Sequence, residues 1–190
     1  ASPPPRSLLR LLAVFEKPTR PDINNMPPTK GLTIVLDGIQ DTGNLGTIVR
    51  IADWFGIRHI VCSPDTADIY NPKSVQATMG AMANVDVSYT DLPDFVGRMK
   101  LFDTHVYGTF LGGDNIYRRT LTPSGLIVMG NEGKGISERL MPYIDTRLSI
   151  PNFSPESRSS ESLNVAVATA VVCSEFLRGT YADDVFAKQL

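Results

Sequence analysis

Short apolar segments alternate with amphipathic ones from residue 32 onward, and this alternation restricts the fold more than any other feature of the chain. Six segments have the apolar, β-branched character of strands: 32–37, 58–63, 85–90, 104–111, 125–130 and 146–151. Helical periodicity follows most of them, over 44–56, 71–85, 92–102, 136–144 and 162–179. This order predicts an α/β fold with a mostly parallel sheet and helices on both faces. Ligands of such sheets bind at the carboxyl ends of the strands.

The first 30 residues stand outside this alternation. LLRLLAVFEKP (8–18) has the apolar content of a structural element, but a proline-rich linker separates it from the first strand. Residues 1–30 hold five basic and two acidic side chains, whereas the rest of the chain is net acidic. We predict an N-terminal arm or linker over 1–30, either the tail of an upstream domain or an arm on a partner, ahead of a domain over 31–190. A solvated tail and an arm that contacts a polyanion explain its charge equally well.

Composition argues against several classes of protein. The longest apolar run, near Cys173, is about half of the roughly 20 residues that a membrane-spanning helix needs, and no secretory signal pattern is present. Cys62 and Cys173 lie in apolar surroundings and predict buried thiols in a reducing compartment. His59 and His105 lie in apolar strand segments, which favours packed histidines, and no residues have metal-ligand spacing. The sequence thus predicts a cytoplasmic protein without a membrane span or a metal site.

Three loops after predicted strands have unusual composition. The first, DTGNLGTIVR (41–50), places Gly43 and Gly46 in a glycine-rich turn at the start of a predicted helix, with Arg50 about one turn later. Glycines let the backbone approach a ligand, and a helix N-terminus favours an anion. A tight turn from strand to helix explains the same residues equally well, so both interpretations stay open here.

The second loop, GNEGKGIS (130–137), lacks the common nucleotide-binding patterns. Gly130 and Gly135 have the spacing of a P-loop, but Ile136 stands where that loop needs a lysine. The dinucleotide pattern G-x-G-x-x-G does not fit either. Glu132 remains, as a site carboxylate or as a solvated side chain.

The third loop leads into the last helix, within IPNFSPESRSSESLNVAVA (150–168). Ser162 is placed to cap the N-terminus of that helix. The helix is apolar nearly all round, which predicts that it is buried. Asn164 is predicted in its first turn, where an amide belongs to a capping network or donates a hydrogen bond to a ligand.

Together the three loops resemble the motifs of one family. NLGTIVRIADWFG (44–56) resembles its first motif, N-x-G-x-x-x-R-x-A-x-x-F-G, and GNEGKGI (130–136) resembles its second, G-x-E-x-x-G-[IL]. IP followed by SLNVAVA resembles its third. Over residues 31–180 the chain therefore resembles the SpoU/TrmH family of RNA ribose 2′-O-methyltransferases, of the SPOUT class.

The resemblance implies an S-adenosylmethionine-dependent enzyme with a deep C-terminal trefoil knot, which acts on tRNA or rRNA as a homodimer. It also implies that residues 1–30 are the remnant of an upstream RNA-binding domain, ahead of a catalytic domain over 31–190. It implies that Gly130, Ile150 and Leu163 contact the cofactor, largely through backbone groups. Thr109 and Leu111 would line the adenosine side. The segment between Ile150 and Leu163 is longer than is usual in the family.

The resemblance also implies a catalytic group of five residues: Arg50, Asn44, Glu132, Ser162 and Asn164. Arg50 would clamp a phosphate beside the 2′-oxygen, with Asn44 and Asn164 positioning it and the ribose. Glu132 would orient the site, and Ser162 would hydrogen-bond near the cofactor. Family mechanisms make the arginine a proton acceptor, which requires lowering a pKa of about 12.5–13.8 to near neutrality at about 8 kcal/mol. Stabilising the forming alkoxide needs no such shift, and both roles stay open here.

Two other functions compete with this one. A knotted RNA-binding protein that has lost catalysis would lack Arg50 or Asn164, and both are present. A hydride-transfer enzyme would need a phosphate-binding fingerprint that the glycine loops do not supply. The resemblance implies active sites built across two chains, and we predict a dimer interface formed by the last helix and the helix that contains Trp54.

Overall fold

The structure is a computed structural model that describes Ile23, residues 30–154 and residues 162–180. Its strands are β1 (Leu32–Asp37), β2 (His59–Cys62), β3 (Asp86–Tyr89), β4 (Val106–Asn115), β5 (Gly125–Gly130) and β6 (Thr146–Ser149). Its α-helices are α1 (Thr42–Trp54), α2 (Pro72–Thr78), α3 (Leu92–Lys100) and α4 (Val165–Leu177). Short 3-10 turns lie at Ala81–Ala83, Ile116–Arg118 and Met141–Tyr143.

The strands form one parallel sheet in the order β3-β2-β1-β5-β4-β6. Val35 in the central strand β1 stands between Val61 of β2 and Val128 of β5. Helices α1 and α4 cover one face, with α2 against α1, and α3 covers the other. The predicted α/β fold, with a parallel sheet and helices on both faces, is confirmed.

Strand β1 shows why the sheet is visible in the sequence. Successive side chains of a strand point to opposite faces, so Ile34 and Leu36 pack beneath α1 and α4 while Val35 packs towards α3. All three are completely buried. Each such burial stabilises the fold by about 1.5–3 kcal/mol. Because both faces are covered, LTIVLD is a continuous apolar run rather than an alternating one.

Helix α1 begins earlier than the sequence pattern predicts. Its first residue is Thr42, and the carboxylate of Asp41 caps its N-terminus through a hydrogen bond of 2.7 Å. Gly43 and Gly46 therefore lie inside the helix and not in a turn before it. A Cβ on Gly46 would lie 2.5 Å from the carbonyl oxygen of Ser74. The close approach of α2 thus accounts for this glycine without a ligand.

Strand β4 extends beyond the predicted end at residue 111. It continues to Asn115, but its register with β6 shifts between Thr109 and Asp114, so the residues between them form a bulge. A Cβ on Gly113 would lie 2.7 Å from the carbonyl oxygen of Arg147. Glycine therefore allows the strand to rejoin β6 at a point where the sequence suggests that the strand stops.

The predicted helix over 136–144 is wrong. This segment forms turns and one 3-10 helix, Met141–Tyr143. At its start the N–H of Ser137 donates to Asp37 at 2.6 Å, which ties the segment to the end of β1. Pro142 lacks the N–H that a longer helix would use at that position. The apolar residues of this segment recur at helical intervals, but the segment is irregular and packs these residues on the sheet.

Helix α4 begins at Val165 and is only partly buried. Val172, Cys173 and Phe176 are buried in the core, but Val167 is 51% exposed. The prediction of a wholly buried helix is therefore wrong for one face. An apolar face left in solvent is typical of an interaction surface.

Two predictions fall mainly outside the described residues. Of the predicted arm over 1–30, only Ile23 and Lys30 are described; Ile23 is buried, and its carbonyl oxygen accepts a hydrogen bond of 2.9 Å from Nη2 of Arg98. The predicted knot involves the chain between β6 and α4, where residues 155–161 lie outside the described part. Both stay predictions. None of the described helices combines the length and apolar character needed to cross a bilayer.

Candidate active site

A cavity of about 510 Å³ opens at the carboxyl ends of β4, β5 and β6, beside the N-terminus of α4. Parallel α/β sheets bind their ligands at this edge. The residues predicted to contact a cofactor all line it: Thr109, Leu111, Gly130, Ile150 and Leu163. Glu132 and Ser162, both predicted as catalytic, line it too. The fold thus gathers distant loops around one cavity, while the role of each residue stays a prediction.

The second loop folds back over the end of β5. Asn131 and Gly135 pair through backbone hydrogen bonds of 3.0 and 2.8 Å. Oδ1 of Asn131 also accepts from the N–H groups of Gly133 and Lys134, at 2.9 and 3.0 Å. A Cβ on Gly130 would lie 2.3 Å from the carbonyl carbon of Gly135. Only glycine fits at position 130 while the loop keeps this conformation.

Two hydrogen bonds join the second loop to the end of β1. Nδ2 of Asn131 donates to the carbonyl oxygen of Gly38 at 2.7 Å, and the N–H of Ser137 donates to Oδ2 of Asp37 at 2.6 Å. Neither Asn131 nor Asp37 was predicted as a site residue. Asn131 could have been noticed as an asparagine in a glycine-rich turn, where this side chain binds nearby N–H groups. Asp37 could have been noticed as a carboxylate at the end of an apolar strand.

Three predicted catalytic residues form a hydrogen-bonded network beside the cavity. Nδ2 of Asn164 donates to Oδ1 of Asn44 at 2.9 Å, and Nδ2 of Asn44 donates to Oε1 of Glu132 at 2.9 Å. Oδ1 of Asn164 accepts from the backbone N–H groups of Ala166 and Val167, at 3.0 and 3.3 Å. Because a backbone N–H can only donate, it fixes the orientation of the Asn164 amide and, through it, that of Asn44. Glu132 therefore accepts the hydrogen bond from Asn44.

Asn164, and not Ser162, caps helix α4. The predicted cap at Ser162 is wrong because the helix begins at Val165, so that Asn164 is the residue whose side chain reaches the first turn. The capping interpretation of Asn164 is confirmed, since its oxygen caps the helix. Its nitrogen donates to Asn44, and a hydrogen bond to a ligand stays a prediction. Ser162 is exposed at the wall of the cavity.

Arg50 stands apart from this network within the chain. It follows Asn44 by six residues on α1, which places it about 9 Å further along the helix axis and about 240° around it. It is exposed and is not among the described residues that line the cavity. Its guanidinium makes no hydrogen bond or ion pair with another described residue. One chain alone does not bring Arg50 to the Asn164–Asn44–Glu132 network.

The bulge of β4 forms one wall of the cavity. The guanidinium of Arg147 lies 4.2 Å from the centre of the Phe110 ring, and Oγ of Ser149 donates to the carbonyl oxygen of Leu111 at 3.1 Å. The side chain of Leu111 is 76% exposed, and that of Leu163 is 50% exposed. The cavity thus combines exposed apolar side chains with the polar groups of the second loop.

Other reactive groups lie away from this cavity. Cys62 and Cys173 are free and buried, as predicted. Burial raises the pKa of the Cys173 thiol to about 12, so this thiol stays protonated at neutral pH. Within residues 30–154 and 162–180, no group of three or more His, Cys, Asp or Glu side chains is placed to hold a metal ion.

Comparison with known proteins identifies the family. The family model of the SpoU rRNA Methylase family matches residues 31–174. The chain belongs to this family. The match contains β1 to β6 and all three motif loops, so the SpoU sequence signature and the cavity described above coincide.

Several SpoU relatives and solved structures are similar to the chain. The 23S rRNA (guanosine(2553)-2′-O)-methyltransferase RlmP of Bacillus subtilis is 35% identical over 153 residues, which cover 78% of this chain and 60% of RlmP. A TrmH-family protein of Porphyromonas gingivalis is 44% identical with a TM-score of 0.74, covering 81% of this chain and 62% of that one. The AdoMet-bound rRNA methyltransferase of Sinorhizobium meliloti is 28% identical with a TM-score of 0.78, and the match covers 88% of this chain and 64% of that one. The chain thus spans about 60% of the length of RlmP.

Proposed function

We propose that this SpoU-family chain is an S-adenosylmethionine-dependent methyltransferase that methylates the 2′-hydroxyl of a ribose in structured RNA. The observation that carries the proposal is the cavity lined by the second and third motif loops, to which the Asn164–Asn44–Glu132 network joins the first loop. The names of the relatives favour ribosomal RNA as the substrate, with transfer RNA as the alternative. Both RNAs are cytoplasmic, so we place the activity there.

The residues of the cavity fit S-adenosylmethionine. A volume of about 510 Å³ lies within the range of about 300–1,000 Å³ that is typical of small-molecule sites. Leu111, Ile150 and Leu163 offer apolar surface for the adenine ring, and Gly130 lets the second loop fold closely on itself at the wall of the cavity. When bound, this cofactor supplies a methyl group activated by a sulfonium centre.

Arg50 is proposed to hold the RNA and to stabilise the reacting oxygen. A guanidinium presents a planar fork of donors that can bind a backbone phosphate and face the 2′-oxygen together. Arg50 is exposed without a partner among the described residues, so its charge is available. Stabilising an alkoxide uses the ordinary charged guanidinium, whereas accepting a proton would first cost about 8 kcal/mol. The stabilising role is therefore favoured.

A homodimer would bring Arg50 to the cavity of a second chain. Trp54 lies one turn after Arg50 on the same face of α1 and is 82% exposed, and Val167 on α4 is 51% exposed. Helices α1 and α4 pack side by side, so these apolar side chains lie on neighbouring helices. Burial of apolar surface drives association. A second copy is proposed to cover this face, with Arg50 of one protomer serving the network of the other.

Two experiments test this function. Calorimetric titration with S-adenosylhomocysteine and with NAD separates a methyltransferase from a hydride-transfer enzyme, and we expect binding of the first alone. Incubation with S-adenosylmethionine and total RNA separates an active enzyme from a knotted RNA-binding protein that has lost catalysis. We expect 2′-O-methylated nucleosides in the digest. A protein that binds S-adenosylhomocysteine but transfers no methyl group to ribose would contradict the proposal.

A further inference from the structure

Ile23 is buried on the face of the sheet that α3 covers, although it lies well before the first strand. Its side chain is 6% exposed and belongs to the same buried cluster as Val35 and Val61 of the sheet and Phe95 of α3. A parallel sheet is covered on both faces, and α3 is the one α-helix on this face among the described residues. Ile23 therefore extends the apolar cover that α3 provides.

A second contact holds the backbone of Ile23. Nη2 of Arg98, on α3, donates to the carbonyl oxygen of Ile23 at 2.9 Å. Arg98 is partly buried, and its guanidinium carbon lies 5.7 Å from the centre of the Phe95 ring. A buried polar group without a hydrogen bond is costly, and Nε of Arg98 already lacks a partner among the described residues. The carbonyl oxygen of Ile23 therefore supplies a hydrogen bond that this buried guanidinium needs.

We propose that the α3 face is the docking surface for the chain's own segment around Ile23, so that the folded unit begins before β1. Residues 24–31 can span about 26–29 Å when extended, which is enough for Ile23 to reach this face from the start of β1 in the same chain. Residues 1–22 then leave the domain from the α3 face, on the opposite side of the sheet from α1 and α4. The basic side chains of that arm are tethered on this side of the protein.

The composition of the segment lowers the entropic cost of docking. Pro18 and Pro21 precede Ile23, and Pro27 and Pro28 follow it. Proline fixes one backbone dihedral, so a segment with several prolines has fewer conformations to lose when one of its residues is held. The apolar contact and the hydrogen bond at Ile23 therefore have less conformational entropy to offset.

The test measures how fast thermolysin cleaves the bond between Asp22 and Ile23 in the native full-length chain. Thermolysin cleaves before large apolar residues and must take the isoleucine side chain into its own pocket, so burial of Ile23 protects this bond. A synthetic peptide of residues 18–28 gives the rate for the undocked segment. The bond before Leu126, which is buried in β5, reports unfolding of the whole domain. Mass spectrometry quantifies the fragments that begin at Ile23 and at Leu126.

Arg98→Ala removes the donor to Ile23, and alanine keeps α3 helical. Arg139→Ala is the matched control, because Arg139 forms an exposed ion pair with Asp91, the N-cap at the other end of the same helix. A double-mutant cycle of Ile23→Ala and Arg98→Ala, followed by urea unfolding, measures whether the two contacts belong to one docked unit.

We expect the wild-type bond before Ile23 to be cleaved at least about tenfold more slowly than the peptide. Arg98→Ala should accelerate this cleavage by at least about tenfold, while cleavage before Leu126 stays within twofold of the wild type. Arg139→Ala should leave both rates unchanged. In the cycle, the double variant should raise the unfolding constant at least about threefold less than the product of the two single effects, because release of the segment removes both contacts together.

Four results would each overturn docking within one chain. The first is a wild-type rate near that of the peptide, and the second is a smaller response to Arg98→Ala than expected. The third is an equal acceleration before Leu126 or in Arg139→Ala, which would assign Arg98 to general stability. The fourth is protection that falls when the protein is diluted, which would mean that the segment of a second chain occupies this face.

Discussion

Asn164 and Asn44 lie 120 residues apart in the sequence, and a hydrogen bond of 2.9 Å joins their side-chain amides. Asn164 is the N-cap of α4, and Asn44 lies in the first turn of α1. The bond therefore fixes the beginnings of two neighbouring helices relative to each other, and Glu132 of the second loop completes the network. One side chain thus serves both the stability of a helix and the geometry of the site.

The variant Asn164→Asp should separate these two roles. Aspartate keeps an oxygen for the N–H groups of α4 and caps as well as asparagine, so we expect the free energy of unfolding in urea to change by less than about 0.5 kcal/mol. Its second oxygen would face Oδ1 of Asn44, and the lost hydrogen bond should lower methyl transfer by about tenfold or more. Asn164→Ala should also destabilise the protein by about 0.5–2 kcal/mol. Full activity of the aspartate variant would show that the hydrogen bond from Asn164 to Asn44 is not needed for methyl transfer.

Gly130→Ala should disrupt the second loop, and Gly133→Ala is its matched control. A Cβ at position 130 would meet backbone atoms at 2.3 Å, whereas the nearest atom to a Cβ at position 133 is Oδ1 of Asn131 at 3.6 Å. Overpacking of this kind costs about 1–3 kcal/mol. We expect Gly130→Ala to lower the melting temperature and the affinity for S-adenosylhomocysteine, and Gly133→Ala to leave both near wild type. Equal effects at the two positions would contradict the role given to this close contact.

The sheet was predictable because its signal is local. β1 is buried on both faces, so Ile34, Val35 and Leu36 form an apolar run that marks a strand by itself. The three motif loops were found by resemblance, and their convergence follows from the rule that parallel strands bind ligands at their carboxyl ends.

The connections inside the site were not predictable because they leave no periodic trace. Nδ2 of Asn131 reaches Gly38 across 93 residues of sequence, and nothing local to either residue indicates the other. Gly46 was assigned to a glycine-rich turn because glycine is common in turns, but here it allows the close packing of α1 on α2. Serine and asparagine suit the N-cap position equally well. The sequence therefore does not separate Ser162 from Asn164, and only the observed start of α4 decides between them.

The contribution of Asp145 to the stability of the fold should be lost at acid pH. Partial burial opposes ionisation of its carboxyl, but hydrogen bonds from Lys100 and from the N–H of Val106 outweigh this and hold its pKa below the ordinary value of 3.8. A carboxylate with a lowered folded-state pKa stabilises the fold above its unfolded pKa and loses that effect as the pH falls through the folded value. We expect Asp145→Asn to melt below the wild type at pH 7, with the difference shrinking as the pH falls below about 3.8. A constant difference down to pH 2 would rule out this linkage.

Arg50→Ala should leave the fold and cofactor binding intact. Asp37 holds Ser137, and Asp41 caps α1, so neither carboxylate depends on Arg50. We therefore expect an unchanged melting temperature and affinity for S-adenosylhomocysteine, with methyl transfer reduced by at least about a hundredfold. Arg50→Lys should be nearly as damaging, because lysine lacks the planar fork. Recovery of most activity by lysine, or a lower melting temperature in both variants, would point to a structural role.

The proposed dimer should depend on the exposed face of α1 and α4. Light scattering at micromolar concentration should give the mass of two chains. Val167→Asp should lower the measured mass towards that of one chain, because a charge buried at an apolar interface is costly. Leu101→Ala is the control, since Leu101 is 83% exposed at the end of α3, on the other side of the sheet. Trp54 is the only tryptophan of the chain, so its fluorescence should shift to longer wavelength when the dimer separates. A wild-type monomer at these concentrations would contradict the shared site.

The most direct measurement of the proposed activity is a map of ribose 2′-O-methylation in ribosomal and transfer RNA from cells with and without the gene. We expect a specific methylated ribose to disappear in the deletion strain. The wild-type gene should restore it, and the Arg50→Ala gene should not. Identical maps from the two strains would contradict the assignment of this chain as a ribose methyltransferase.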